Sequence, residues 1–191
     1  ATLVFIGLII WICDVVLRYG LFARRLTPKA FILPGNVIRL EFPKSFEYEA
    51  GQYCFLRIYD INPFEFHPFS ISSGPHDEKI TIHIRALGDW TKRLYDYVKS
   101  KTEALSTEER VNGVSIDVLC EGPFGMSMID WENRDDYKVF IMISGGVGIT
   151  PMQSVFSQLI YDQQHQGRHV RKAIFVWSAK DLATVNAFED H

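Results

Sequence analysis

The sequence predicts three parts in series: the end of a transmembrane helix over residues 1–19, an antiparallel β-barrel domain over 20–127, and a truncated, Rossmann-like α/β domain over 137–191. Three observations carry this. Every residue from Leu3 to Cys13 is apolar or glycine, and the basic residues follow the run. From Ala30 to Cys120 the apolar residues recur mostly with a period of two, the spacing of half-buried strands. From Tyr137 a continuous apolar run leads into a glycine turn, an amphipathic helix and a second apolar run. The chain opens on Ala1 and stops soon after that last run, so it reads as a fragment cut at both ends.

Composition narrows the classes. Of 191 residues 47% are apolar, enough for a packed core, and a net charge of -3 offers no basic field to nucleic acid. Cys13, Cys54 and Cys120 are odd in number and widely spaced. They form neither a metal-binding CxxC pair nor a disulfide framework, which fits a reducing compartment.

A full membrane span needs ~20 residues, and the first apolar run is shorter, so its beginning is expected upstream. Arg18, Arg24, Arg25 and Lys29 follow it with no acidic residue among them. By the positive-inside bias this flank is cytosolic, with lipid as a partner and the rest of the chain on the inner side. The alternatives are a signal-peptide core, which would carry its charges before the run, and a buried helix. Asp14 lies near the cytosolic end, where an ionisable group reaches headgroups.

In the second part Val37–Phe42 alternates, with Ile38, Leu40 and Phe42 on one face and Arg39 and Glu41 on the other. Gly51–Tyr59, Phe69–Ser72, Ile80–Arg85 and Ser115–Cys120 are further strands. Pro34-Gly35, Ala50-Gly51, Asn62-Pro63 and Gly74-Pro75 punctuate them, a pattern suggesting a small barrel. Asp89–Lys99 has helical spacing, and polar Lys101–Gly113 reads as a loop insertion.

Two places here carry chemistry. His67-Pro68-Phe69-Ser70-Ile71-Ser72-Ser73 opens a strand, with proline where a missing N–H is tolerated. Ser70 beside an aromatic ring suits a planar ligand with polar edges, such as a flavin; an ordinary edge strand with a buried Phe is the plain alternative. Arg85 shares a polar, outward face with Thr81 and His83, and Gly88-Asp89-Trp90-Thr91 begins the helix. A helix start offers free N–H groups to phosphate, to which Thr91 adds a hydroxyl and Arg85 a bidentate fork. Against this stands simple capping by Asp89.

In the third part Tyr137–Ser144 is a continuous apolar run, as in a parallel strand buried on both faces. Gly145-Gly146-Val147-Gly148-Ile149-Thr150-Pro151 follows, then a helix over about Thr150–Tyr161 and a strand at Ala173–Trp177. The turn lacks the Gly-Lys-Ser/Thr of a P-loop, and Pro151 replaces the third glycine of G-x-G-x-x-G. Pro151 marks the first helical position. Gly146 and Gly148 either let the backbone approach a pyrophosphate or serve only the turn. His165 and His169 read as surface loop, Glu108-Glu109 and Asp135-Asp136 as solvated pairs. No metal site and no catalytic acid or base is expected.

His67-Pro68-Phe69-Ser70, His83-Ile84-Arg85, Gly88-Asp89-Trp90-Thr91, Gly122-Pro123-Phe124-Gly125 and Gly146-Val147-Gly148-Ile149-Thr150-Pro151 occur in an order that resembles NADPH oxidases and ferric reductases. More loosely the layout is similar to ferredoxin–NADP reductases. Cys13-Asp14 and Arg18 resemble the end of that family's last transmembrane helix. The resemblance implies FAD and NADPH as cofactors, with haem on earlier helices. It implies that His67–Ser70 lines the flavin, Ser70 near its reactive edge, with Ser73 and His83 among the cofactor positions. Arg85 and Thr91, with Gly88 and Trp90 beside them, would hold the FAD pyrophosphate. Gly146, Gly148 and Thr150, with Pro151, would cradle that of NADPH. Gly122 to Gly125 would join the domains beside the nicotinamide. Lys180 stands where the family often has an Arg for the 2′-phosphate, a point charge in place of a fork. The implied activity passes electrons from NADPH through FAD and haem across the membrane to dioxygen, forming superoxide. Gly88-Asp89-Trp90-Thr91 tilts toward the oxidase over a ferric-chelate reductase. A membrane-tethered nucleotide-binding regulator is the non-enzyme alternative, and regulatory proteins are possible partners.

Overall fold

The computed structural model describes residues 2–17, 23–126 and 137–188. Helix α1 (Thr2–Leu17) has 16 residues and exposes apolar side chains all round, Val4, Phe5, Ile10 and Trp11 among them. Among the described residues no helix is long and apolar enough to cross a membrane. Arg18 lies outside the described residues.

The strand domain departs from a single closed barrel. Strands β1 (Arg24–Leu26), β2 (Lys29–Leu33), β3 (Val37–Pro43), β4 (Tyr53–Arg57), β5 (His67–Ser70), β6 (Lys79–Arg85), β7 (Val114–Ser115) and β8 (Val118–Phe124) form two four-stranded antiparallel sheets. Their orders are β1-β8-β4-β5 and β6-β3-β2-β7. Lone backbone bonds link the sheets at the corners: Ser72 N–H to Thr81 O at 2.9 Å and Ile116 N–H to Pro28 O at 3.2 Å. Ladder pairing stops there because the chain turns from one sheet to the other.

Between the sheets lie Ile38, Leu40 and Phe42 from β3 and Ile80, Ile82 and Ile84 from β6, all buried as the alternation predicts. Cys54, Leu56 and Cys120 close the core from the other sheet. Helix α2 (Asp89–Glu103) adds Trp90, Leu94 and Val98, one buried residue per turn. It continues four residues past the predicted end.

Strands β1 and β2 escape the period-two search. The first is three residues with two arginines, and the second is an apolar run without clear alternation. The predicted loop insertion contains helix α3 (Thr107–Val111). Ser106 Oγ accepts from Glu109 N–H while the Glu109 carboxylate accepts from Ser106 N–H at 3.0 Å. Bonds from Ser106 N–H and Ser106 Oγ hold the Glu109 carboxyl below its ordinary range, so this exposed charge also serves as a cap partner.

The second domain pairs β9 (Val139–Gly145) in parallel with β10 (Lys172–Ser178), joined through helix α4 (Ile149–His165). Phe140 and Met142 pack on Val155 and Leu159 of α4. Ile141 and Ile143 point away from α4, to the side of the sheet that no described residue covers. Pro151 is the third helical residue and not the first. After α4, Arg168 and Asp162 form an ion pair, Nε to Oδ2 at 3.2 Å, with side chains 0% and 3% exposed.

The domains meet on the face of β6 predicted to be solvated. Thr81 and His83 are buried there, because the second domain covers them. His83 Nδ1 is 2.8 Å from Ser72 Oγ, and its ring lies 4.6 Å from that of Phe188. Ser73 belongs to the same seam. Its Oγ accepts from Thr81 N–H at 2.9 Å, and its carbonyl accepts from Ser154 Oγ of α4 at 2.6 Å. The Tyr48 hydroxyl donates to the neighbouring Gly74 carbonyl at 2.7 Å, and burial raises its pKa.

Candidate functional site

A cleft of about 540 Å³ opens between the two domains. It gathers twelve of the predicted positions from four separate elements. His67, Pro68, Phe69 and Ser70 come from β5, and His83 and Arg85 from β6. Gly88, Trp90 and Thr91 come from the start of α2, and Gly148, Thr150 and Pro151 from the start of α4.

Each wall follows from local structure. On β5 the register sets Pro68 opposite Phe55, with the strand paired only to β4, so the missing N–H costs no second ladder. The ring of Trp90 lies 4.4 Å from His67 and 5.8 Å from Phe69, an aromatic floor joining β5 to α2. Trp90 Nε1 is buried with no acceptor among the described residues. His67 Nε2 is 3.2 Å from Glu65 Oε2.

Helix α2 is not capped by Asp89. Gly88 is the N-cap, and Thr91 Oγ1 reaches back to accept from Leu87 N–H and Gly88 N–H, each at 3.0 Å. The Thr91 hydroxyl is thereby committed to the turn. The first intrahelical bond runs from Lys92 N–H to Gly88 O at 2.9 Å. The N–H groups of Asp89, Trp90 and Thr91 thus have no helix carbonyl to pair with. Thr91→Val is expected to cost about 1 kcal/mol, as for a lost cap, measured as a lower urea midpoint. Thr91→Ser should restore it, and an unmoved midpoint would show that the reach-back bonds carry nothing.

Opposite, the glycine turn presents open backbone. A side chain at Gly148 or Gly88 would meet no atom within 4 Å. Gly146 takes a φ of 52°, and its carbonyl accepts from Trp177 Nε1 at 2.9 Å. Arg85 stands between the two helix starts: its Nη1 is 3.9 Å from where a Cβ on Gly146 would lie, and its Nη2 is 3.2 Å from Asp181 Oδ2.

Other predicted positions lie elsewhere. Ser73 is in the domain seam. Gly122 (φ 148°) lets β8 approach β4, since its Cβ would stand 3.0 Å from that of Cys54; its carbonyl accepts from Arg24 Nη1 at 2.7 Å. Gly125 O accepts from Gln52 Nε2 at 2.8 Å. The stretch from these glycines to the second domain, 127–136, is outside the described residues, as are Asp135 and Asp136. Lys180 is exposed just beyond β10. Sequence reading missed Leu87, Val147 and Asp181. Asp181 was detectable, because Asp181-x-x-Thr184 is a helix-start pattern and its Oδ1 accepts from Thr184 N–H at 2.7 Å.

A family model described as an FAD-binding domain matches residues 22–128, and one described as a ferric reductase NAD binding domain matches 137–191. Respiratory burst oxidase homolog protein A of Solanum tuberosum is 38% identical over 153 residues, 75% of this chain and 16% of its own. Putative respiratory burst oxidase homolog protein G of Arabidopsis thaliana is 31% identical over 182 residues, 82% of this chain and 21% of its own. Dual oxidase 2 of Homo sapiens is 32% identical over 154 residues, 78% of this chain and 9% of its own. The chain thus spans at most 21% of the length of these relatives. Among solved structures, an H286L mutant of ferredoxin–NADP+ reductase from Plasmodium falciparum with 2′P-AMP aligns with a TM-score of 0.64 at 16% identity, over 90% of this chain and 69% of that one. Phthalate dioxygenase reductase aligns with a TM-score of 0.59 at 17% identity, over 88% of this chain and 47% of that one. These identities establish the fold alone.

Proposed function

The chain belongs to the NADPH oxidase and ferric reductase family, and from that premise we propose that it forms the electron-entry region of a membrane oxidoreductase, with 20–127 holding FAD and 137–191 receiving NADPH. The observation that carries this reading is the convergence of β5, β6 and the starts of α2 and α4 on one cleft. The residues present fit a dinucleotide. The cleft combines open backbone at Gly88 and Gly148, a guanidinium at its centre, and a buried indole N–H still owed an acceptor.

Bound FAD would supply the two-electron acceptor for NADPH that can pass electrons on one at a time. The chain's residues position the partners. Pro68, Phe69 and Ser70 line the flat ring, and Arg85 with the first-turn N–H groups of α2 neutralises one diphosphate. The turn at Gly146–Gly148 and the start of α4 receive the other. Hydride transfer needs no side-chain acid or base, and none is assigned. Lys180 is offered to the adenosine end, where its compact charge discriminates weakly for a 2′-phosphate.

Dioxygen is the proposed acceptor, giving superoxide, and the protein is proposed to sit in the membrane with this region cytosolic, α1 marking the approach. The ferric reductase match over 137–191 favours ferric chelate as the second reading. Full-length protein loaded with FAD is expected to oxidise NADPH, reduce an artificial dye and release superoxide. Retention of FAD without NADPH oxidation would overturn the reading. Oxygen uptake that superoxide dismutase leaves unaltered, with fast ferric-chelate reduction, would favour the second.

A further inference from the structure

We infer that the Asp181 carboxylate competes with the FAD diphosphate for the Arg85 guanidinium, making Asp181 a positioning residue through which the nicotinamide-nucleotide domain sets how tightly FAD is held. This rests on the reading of Arg85 given above.

Arg85 ends β6 and lines the cleft, but its Nη2 is already engaged by Asp181 Oδ2 at 3.2 Å. The contact joins the two domains, and the side chains are 18% and 45% exposed. Asp181 does not reach Arg85 by chance of rotamer. Its other oxygen, Oδ1, accepts from Thr184 N–H at 2.7 Å and Thr184 Oγ1 at 2.8 Å, which fixes the carboxylate at the head of α5 (Leu182–Asn186).

The segment that follows is itself docked on the strand domain. A side chain on Gly35, in the turn between β2 and β3, would stand 3.0 Å from Thr184 N, and Ala187 and Phe188 pack with Val37 and Ile149. Phe188 also covers His83. Asp181 is therefore delivered to Arg85 by a packed strap. Its carboxyl lies below the ordinary range, first through the two Thr184 bonds and then through Arg85, so it is charged at neutral pH.

The Asp181 contact takes Nη2, one of the two prongs that a bidentate grip on a diphosphate would use. A diphosphate seated on Arg85 would bring its negative charge against a carboxylate held in place by its own cap. Two like charges on one cation raise each other's energy, so one must give way. Either the carboxylate swings off, loosening the strap, or the diphosphate binds more weakly than the bare fork allows.

Asp181→Asn separates these roles, because asparagine caps as well as aspartate while carrying no charge. Titration of apoprotein with FAD, followed by flavin fluorescence, is expected to show Asp181→Asn binding about three- to fivefold more tightly, the range an exposed ion pair supports. In an Arg85→Ala background the same change should have no effect. If Arg85→Ala weakens FAD but Asp181→Asn leaves it unchanged or weaker, competition is overturned while the cofactor reading stands. If Arg85→Ala leaves FAD affinity unchanged, the reading of Arg85 falls with it.

Discussion

Asp162→Ala is expected to destabilise the second domain by ~3–5 kcal/mol, the cost of breaking a buried ion pair from one side. Asp162 accepts from Arg168 Nε at 3.2 Å through one oxygen and from Gln158 Nε2 at 2.7 Å through the other, and its main-chain carbonyl accepts from Arg168 N–H at 3.1 Å. Truncation takes the carboxylate away from a guanidinium that is fully buried. The pair sits where α4 turns back toward β10, so its loss unlatches the crossover between the two parallel strands. Urea unfolding is the measurement. A loss below about 1 kcal/mol would place Arg168 in contact with water and remove the pair from the structural account. Replacing both residues by apolar ones of similar volume should recover much of the loss, because the pair is costly to desolvate.

Arg85→Ala should weaken FAD binding by ~1.5–3 kcal/mol, the worth of a hydrogen bond to a charged group, or about ten- to a hundredfold in Kd. The effect should shrink at high salt, since the cleft is open to solvent and ions screen it. Arg85→Lys should recover the charge but not the two-pronged geometry, leaving an intermediate affinity. Equal affinity for all three proteins would place the diphosphate elsewhere.

How much could be read in advance follows from what each signal measures. Alternation in β3 and β6 reported burial correctly on the core side, because Ile38, Leu40, Ile82 and Ile84 meet the opposing sheet whatever else the chain does. On the other side alternation misled. Thr81 and His83 look like solvated residues, yet a second domain that begins more than fifty residues later in sequence covers them. Period two registers polarity, not the neighbour that a polar side chain will meet. The cleft was legible as a set of motifs: strand, arginine, helix start and glycine turn. Its competitor was not, because Asp181 meets Arg85 only through the docking of α5. Thr91 stands at the helix start as the motif suggests, but its hydroxyl serves the turn instead of pointing outward. The two glycines at 122 and 125 answer to strand packing, a demand that a motif comparison does not register.

The uncovered side of the β9–β10 pair has a practical consequence. Ile141 and Ile143, registered beside Ile174 and Val176, form a flat greasy plate on a sheet whose reverse is well packed. Such plates draw apolar dyes, detergent tails and each other. Whatever packs on that plate, a further segment of chain or an added amphiphile, will govern how the sheet behaves in water.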